Sequence, residues 1–245
     1  MQNRRGGGEV AMGYPVDQIG TETKLFSLIG ANAIENDLAR YFNAAFQALD
    51  ADCKMMPLNI REDDLGFFLH GLKDSKIFGA YLEEEYWEIV YNLLQEGDEE
   101  VQFCGICDTI DIVDNRYTVH LTQGRAMAQA VDEIENISGK TVTIAGATPS
   151  AKSFLYHLRS YEPAKLILAN DIVEELLAMA SIIPENISHD IVRIQNNYLD
   201  KKSDIVFNFT EGPLTCETKH HFDLHNMKDQ IMTHTAQIKA KEWSE

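Results

Sequence analysis

The sequence is poor in features that define several large classes of protein. No apolar run approaches the roughly 20 residues of a membrane-spanning helix, so a membrane protein is not expected. Residues 1–22 are polar and glycine-rich and lack the apolar segment of a secretory signal, and we expect them to form a flexible arm or leader. Only 4 cysteines occur among 245 residues. Free thiols and a cytoplasmic location are therefore expected.

Basic side chains are also scarce. The chain has 21 lysines and arginines against 39 aspartates and glutamates, which gives a formal net charge of −18 at pH 7. Nucleic acids and anionic membranes bind clustered lysine and arginine, so neither is expected as a partner. The composition favours a soluble protein with an acidic surface, or one whose partner is cationic. A small-molecule ligand and a homodimer are both compatible with it.

Two of the cysteines, Cys104 and Cys107, form a C-x-x-C pair within VQFCGICDTIDIV. A redox-active pair of this kind usually opens a helix, whereas these flanking residues favour a strand. A single pair also lacks the second half of a structural zinc site. Packing within a strand is therefore the favoured interpretation, with a redox or metal role as the alternative. No metal site is predicted.

Strand and helix patterns alternate along the first half of the chain. Predicted strands cover residues 24–30, 53–58, 76–82, two short stretches within 101–113, and 116–121. Predicted helices cover residues 36–49, 61–72 and 83–95. The alternation predicts a mainly parallel sheet with helices on both faces, within an α/β domain over residues 23–122.

A second unit follows a long predicted helix at 122–137. Residues 138–215 show the pattern β-α-β-α-β, which is typical of half of a dinucleotide-binding fold. We predict that residues 218–245 form one helix that crosses back to the first domain.

A tight turn, GATPSA (146–151), joins the first strand of this unit to its helix. Dinucleotide-binding turns use glycines because the backbone must approach the pyrophosphate closely. Here only Gly146 stands in the expected place. Thr148 either caps the helix or reaches a phosphate. The candidate cofactor residues of this turn are Gly146, Thr148 and Ser150. A fourth candidate, Thr210, follows the last strand of the unit.

An acidic residue, Asp171, follows the second strand of the unit, about 25 residues after the turn. In NAD-binding domains an acid at this point accepts hydrogen bonds from the ribose hydroxyls and disfavours the extra phosphate of NADP. The alternative is a cap for the next helix. The sequence thus predicts NAD or NADP as cofactor, with NAD favoured.

Several stretches together resemble shikimate dehydrogenases in their order and spacing. They are LFSLIGANAIENDLARYFNAAFQAL (25–49), IFGAYLEEEYWEIV (77–90), FCGICDTIDI (103–112), YTVHLTQG (117–124), GKTVTIAGATPSA (139–151), LILAND (166–171) and DIVFNFTEG (204–212). The resemblance implies an N-terminal substrate-type α/β domain and a C-terminal Rossmann-like NAD(P)-binding domain. It also implies a C-terminal helix that returns to the first domain.

The resemblance also marks where this sequence departs from the family. The catalytic lysine at the end of the family's NVTIPHK motif falls on Trp87, and the catalytic aspartate of its NTDG motif falls on Gln123. Neither side chain exchanges a proton near neutral pH. Shikimate oxidation by the family's mechanism is therefore not expected. His120 is the candidate acid or base beside these positions, against a structural role.

Four candidate substrate-binding residues follow from the same alignment. The family's serine-bearing loop reads ANAIEN here and contains Asn36, and Glu83 lies in the altered strand motif. Asp108 takes the place of a substrate-binding asparagine, and Gln230 takes the place of a C-terminal glutamine. The pocket loses a cation and gains carboxylates, which favours a neutral or amine-bearing ligand over an anion. The alternative for Glu83 is the solvated first turn of a helix.

Two functions remain open from the sequence. One is a diverged NAD(P)-dependent oxidoreductase that acts in specialised biosynthesis on a small molecule other than shikimate, with an amine-bearing substrate favoured. The other is a catalytically inactive protein that uses the cleft between its domains to bind a small molecule or a protein partner.

Overall fold

The computed structural model describes residues 19–210 and 212–245, without the side chains of Leu224 and His225. Most of the predicted arm at 1–22 lies outside these residues. The described chain forms two five-stranded sheets with helices packed on them, as predicted for an α/β protein of two domains. None of its helices has both the length and the apolar composition needed to cross a bilayer.

The N-terminal domain is built on a sheet of strand order β2-β1-β3-β4-β5. Its strands are β1 (Lys24–Gly30), β2 (Cys53–Asn59), β3 (Ile77–Leu82), β4 (Thr109–Val113) and β5 (Arg116–His120). The pairings of β1 with β2 and β3 are parallel, whereas β3 with β4 and β4 with β5 are antiparallel. The sheet is thus mixed rather than mainly parallel. Asp114 and Asn115 both have positive φ and close the tight β4–β5 turn, as such residues do in hairpins.

Five α-helices accompany this sheet. They are α1 (Leu38–Ala48), α2 (Glu62–Leu72), α3 (Trp87–Leu94), α4 (Glu99–Cys104) and α5 (Gln123–Asp132). The prediction of a strand from Val101 was wrong, because Asp98 caps a helix there. Its side chain accepts a hydrogen bond from the Val101 N–H at 3.0 Å, and Gly105, with φ +69°, ends the helix.

The C-x-x-C pair consequently spans the end of α4 and the loop before β4, rather than a strand. Cys104 and Cys107 are both buried and both free. Burial raises the pKa of Cys104 to about 12 and raises that of Cys107 as well, so the thiol form is strongly favoured.

The C-terminal domain is built on a parallel sheet of order β10-β9-β6-β7-β8. Its strands are β6 (Thr141–Ala145), β7 (Lys165–Asn170), β8 (Ser188–Arg193), β9 (Tyr198–Asn208) and β10 (Thr215–Asp223), and its helices are α6 (Pro149–Leu158) and α7 (Val173–Ala180). The predicted Rossmann-like arrangement is confirmed. It places the turn after β6 and the residue after β7 at one edge of the sheet.

The tail is not one helix over 218–245. Its first part belongs to β10, whose side chains alternate between exposed and half-buried as in a strand at the edge of a sheet. The helix α8 begins at Lys228, ends at Ser244, and crosses back to pack against α1 and α5.

A buried ion pair and an aromatic stack attach α8 to the N-terminal domain. Lys239 is 1% exposed, and its Nζ lies 3.2 Å from Asp111 Oδ2 and 2.9 Å from Glu242 Oε2. The Trp243 Nε1–H donates to Asp111 at 2.6 Å, and its ring stacks on Phe26 with centroids 4.2 Å apart. These contacts hold α8 beside β4 and β1.

A buried carboxylate of the N-terminal domain also contacts the C-terminal domain. Glu100, on α4, is 6% exposed and accepts a hydrogen bond of 2.6 Å from Ser153 Oγ of α6. Its other oxygen lies 2.8 Å from His157 Nε2 on the same helix. At Gly124 of α5, a Cβ would lie 2.1 Å from Ser153 Oγ, so a glycine is needed where α5 and α6 meet. The cleft between the domains is therefore held by specific contacts.

Candidate functional site

Three adjoining cavities lie along the cleft. The first-domain cavity, of about 520 Å³, is lined by residues of the N-terminal domain and of α8, among them Glu83, Trp87 and Gln123. The central cavity, of about 450 Å³, shares Glu84 with it. The second-domain cavity, of about 750 Å³, shares Thr148 and Thr210 with the central one. The cleft therefore offers one continuous site that both domains line.

The carboxyl ends of the parallel strands form the second-domain cavity, as expected for an open α/β sheet. Gly146 follows β6 with φ +103°, and a Cβ there would lie 3.0 Å from the carbonyl carbon of Phe209. The turn thus requires glycine both for its conformation and for space. Thr210 follows β9 and lines the same cavity. The structure brings these two predicted residues together.

The hydroxyls of Thr148 and Ser150 are both engaged at the start of α6. Thr148 Oγ1 accepts from the Ala151 N–H at 3.2 Å, so the predicted cap is observed. Pro149 is the first residue of the helix and contributes no N–H. Ser150, 3% exposed, donates its hydroxyl to Glu84 Oε1 of the other domain at 3.3 Å.

Asp171 is exposed directly after β7 and lines the second-domain cavity. Its alternative role as a helix cap is not observed, because α7 starts after Ile172 without a side-chain cap. Glu175 lines the same cavity and accepts a hydrogen bond of 2.7 Å from Asn170. The residues described as lining the central and second-domain cavities include no lysine or arginine. These carboxylates can accept hydrogen bonds from ribose hydroxyls, but they leave the charge of a pyrophosphate uncompensated.

Carboxylates outnumber cations in the first-domain cavity. Glu83, Glu84 and Glu85 line it together with one cation, Lys228. Glu83 Oε1 accepts a hydrogen bond of 2.6 Å from Asn36, so these two predicted residues meet. Burial raises the pKa of Glu83, and the Glu85 carboxylate raises it further, against the lowering effects of Asn36 and Lys228.

Trp87 and Gln123, which the resemblance aligns with the family's catalytic lysine and aspartate, both line this cavity. Trp87 is 3% exposed, packs within the core of the N-terminal domain, and donates its Nε1–H to the Leu82 carbonyl at 2.7 Å. Gln123 is the first residue of α5, and its Oε1 is buried without a hydrogen-bond partner among the described residues. The indole is therefore committed to the protein, while the amide oxygen is an acceptor that a ligand can satisfy.

Asp108 lies beneath the cavity rather than on its wall. The side chain is fully buried and accepts hydrogen bonds from the N–H groups of Thr122 (2.9 Å) and Gln123 (2.7 Å) and from Thr109 Oγ1 (2.8 Å). It therefore anchors the start of α5. Tyr81, whose hydroxyl lies 3.4 Å from Asp108 Oδ2, stands on the cavity wall. Burial raises the pKa of Asp108 to about 6 in spite of these bonds.

This raised pKa predicts a specific pH dependence. Since the folded-state pKa of about 6 lies above the ordinary value of 3.8, the folded protein holds the proton more tightly and protonation favours folding. The free energy of unfolding of the wild type, relative to an Asp108→Asn variant, should therefore fall as pH rises from about 4 to about 6. Urea denaturation of both proteins across this range measures the difference. A difference in the free energy of unfolding that stays constant across this range would contradict the raised pKa of Asp108.

His120 and Gln230 do not line the described cavities. His120 Nε2 lies 3.4 Å from Asp111 Oδ2, which raises the pKa of the imidazole although burial lowers it. The structure thus places His120 with the Asp111–Lys239 pair and not beside Gln123. Gln230 is exposed on α8, and Lys228 and Thr235 of that helix line the cavity instead.

Sequence reasoning missed some of the lining residues. Tyr81, Glu84, Lys228 and Thr235 all line the cleft without having been candidates. Tyr81 had a usable signal, because it occupies the first position of the altered strand motif. Lys228 and Thr235 had no such signal. The predicted tail helix starts at 218, whereas the observed helix starts ten residues later, at Lys228.

Comparison with known proteins identifies relatives by sequence. Shikimate dehydrogenase (NADP(+)) of Alkaliphilus oremlandii is 27% identical over 183 residues, which is 74% of this chain and 63% of the relative. The corresponding protein of Carboxydothermus hydrogenoformans is 28% identical over 164 residues, 66% of this chain and 58% of the relative. The matches thus span less than two thirds of these relatives' own length. No family model matches the sequence.

Solved structures show the same fold. A shikimate dehydrogenase in complex with NADP+ has a TM-score of 0.73 at 19% identity and covers 93% of this chain and 92% of its own. The ligand-free 5-ketofructose reductase of Gluconobacter sp. strain CHM43 has a TM-score of 0.76 at 15% identity, with 91% and 94% covered. Relatives by sequence and neighbours by fold agree: the chain is similar in sequence to shikimate dehydrogenases and shares their two-domain fold.

Proposed function

We propose that this protein is an NAD(P)-dependent oxidoreductase that acts on a small molecule other than shikimate, and that its substrate bears an amine. The observation that carries the substrate class is the lining of the first-domain cavity. Three glutamates and one lysine line it, and this surplus of negative charge disfavours an anionic hydroxy acid. An ammonium group is attracted by this lining and an additional carboxylate is repelled.

Two further features of the cavity support a ligand that donates hydrogen bonds. The buried Gln123 Oε1 has no partner among the described residues, and an N–H or O–H of a ligand would satisfy it. Glu83 is already oriented by Asn36 and presents a carboxylate to the same space. Gly30 makes this position possible, since a Cβ there would lie 2.0 Å from Glu83 Oε2.

The second domain supports the cofactor class. Gly146 and Thr210 shape the turns that would receive a dinucleotide, and Asp171 would hold the ribose hydroxyls at the end of β7. When bound, NAD(P) supplies or accepts the hydride. An imine is already activated toward hydride, so its reduction requires less proton transfer from the protein than reduction of a ketone does. This agrees with the loss of the lysine and aspartate pair.

The choice between NAD and NADP should depend on Asp171. We expect the wild type to bind NAD+ at least about tenfold more tightly than NADP+. The reason is that the carboxylates of Asp171 and Glu175 would repel a 2′-phosphate. An Asp171→Arg variant should reverse the order. Isothermal titration with both nucleotides measures it, with Glu174→Arg as the control, since Glu174 is exposed on α7 and does not line the cavity. Equal affinities in the wild type would refute the NAD preference.

A catalytically inactive binding protein is the second candidate. The commitment of the Trp87 indole to the Leu82 carbonyl favours it, because no proton-transfer group replaces the lysine at this point of the site. Mass spectrometry of the small molecules retained after purification, together with nucleotide titration, distinguishes the two. A retained amine without nucleotide binding at millimolar concentration would support the binding protein and exclude the oxidoreductase.

A further inference from the structure

One contact crosses the cleft at the start of α6. Glu84 belongs to the short 3-10 turn Glu84–Tyr86 that follows β3, and its Oε1 accepts the Ser150 hydroxyl at 3.3 Å. Ser150 is the second residue of α6 and is 3% exposed. Glu84 also lines both the first-domain and the central cavity. A carboxylate of one domain therefore stands at the helix start of the other, where the two cavities join.

This end of α6 is the place at which a dinucleotide-binding domain receives phosphate. Helix N-termini attract anions through their N–H groups and the helix dipole. Here part of that capacity is already used: Pro149 has no N–H, and the Ala151 N–H is bonded to Thr148 Oγ1. The Ser150 hydroxyl, a further donor, is bonded to Glu84. A carboxylate of the protein itself thus bonds one of the donors at the helix start.

We infer that Glu84 is an internal anion that sets the affinity of the cleft for phosphate-bearing ligands. The other charges along the cofactor side act in the same direction, because Asp171, Glu175 and Asp223 line the two cavities that continue from Glu84. A pyrophosphate must displace the Glu84 carboxylate or bind beside it against repulsion. The nucleoside part of a ligand meets no such conflict. The inference rests on the proposed cofactor class but concerns binding alone.

The experiment compares ligands with and without phosphate. Glu84→Gln removes the charge and keeps an oxygen for Ser150. Its control is Glu88→Gln, an exposed residue of the first turn of α3 that lines none of the described cavities. Titration calorimetry gives dissociation constants for NAD+, ADP and adenosine. We expect Glu84→Gln to tighten NAD+ and ADP about 5- to 20-fold and to leave adenosine within about twofold, and we expect the gain to shrink at high salt.

Each result decides the inference separately from the proposed function. If the wild type binds NAD+ and Glu84→Gln does not tighten it, the inference is wrong and the proposed cofactor stands. If only Glu84→Gln binds NAD+, the inference holds and the wild type is not an NAD-dependent enzyme. Equal tightening of adenosine would show a general change in the cleft and would overturn the inference. Failure of both proteins to bind NAD+ and ADP would overturn both proposals.

Discussion

Replacement of Asp111 by alanine is expected to lower the free energy of unfolding by about 3–5 kcal/mol. The change leaves the Lys239 ammonium, 1% exposed, with Glu242 as its remaining carboxylate in the described contacts. It also removes the acceptor of the Trp243 indole N–H and a partner of His120. A buried charge that loses one of its partners is costly, because the desolvation of the charge is then compensated only in part. Urea denaturation at neutral pH measures the effect.

Two comparisons test the cause. Lys202→Ala removes an exposed ion pair with Glu217 and should leave the free energy of unfolding nearly unchanged, because solvent screens that pair. The double variant Asp111→Ala, Lys239→Met should be more stable than Asp111→Ala alone, because it removes a buried ammonium that has lost one of its two carboxylate partners. A loss of stability in Asp111→Ala no greater than in Lys202→Ala would show that the pair is not important.

The lowered pKa of the Asp111 carboxyl group also predicts how stability changes in acid. Although burial alone would raise it, the pKa of Asp111 is held at about 2 by His120, Lys239 and Trp243. Because the folded-state pKa lies below the ordinary value of 3.8, the stabilisation is present above that value and is lost as pH falls through about 2. The difference in the free energy of unfolding between the wild type and Asp111→Ala should therefore become smaller only in strong acid.

Restoration of the family's two catalytic residues, by Trp87→Lys with Gln123→Asp, is expected to give an unstable protein without shikimate dehydrogenase activity. Trp87 packs in the core of the N-terminal domain and bonds the Leu82 carbonyl. Loss of the buried indole costs about 3–5 kcal/mol, and the new ammonium is buried in its place. The glutamates of the first-domain cavity would still repel the substrate carboxylate.

Single variants separate stability from chemistry. Gln123→Asp alone should remain folded, since the residue is half-buried at the start of α5, where a carboxylate is favoured. Trp87→Phe keeps most of the volume and should cost about 1–3 kcal/mol through the unpaired Leu82 carbonyl. Denaturation and a shikimate oxidation assay are the measurements. A folded double variant that oxidises shikimate would show that the rest of the site is intact and that the proposed substrate class is wrong.

Much of the fold was predictable because its signals are local. Buried runs such as KLFSLIG and KLILAN and the turn residues between them predict strands and helices without any knowledge of their neighbours. Two of the three incorrect predictions, the strand from Val101 and the single tail helix, also have local signals against them. Asp98 and Gly105 bound α4, and the alternation in Thr215–Asp223 is that of a strand.

The candidate site was predictable only in part. Gly146, Thr210 and Asp171 come together because parallel strands bring their carboxyl ends to one edge of a sheet, a rule that applies before the coordinates are known. The same reasoning did not separate Asp108, which anchors α5 from below, from Glu83, which faces the cavity. Burial distinguishes them, and burial depends on the packing of both domains.

The sequence by itself determined the resemblance to shikimate dehydrogenases, the two-domain α/β fold, and the presence of Trp87 and Gln123 where that resemblance places a lysine and an aspartate, because each depends on the order of residues along the chain. Only the tertiary structure showed that the Trp87 indole is part of the core, that His120 supports the Asp111–Lys239 pair, and that Glu84 reaches Ser150 across the cleft. Glu84 and Ser150 are 66 positions apart. Contacts of this kind form between domains, where the docking of two surfaces, rather than a periodic pattern, decides which charges meet.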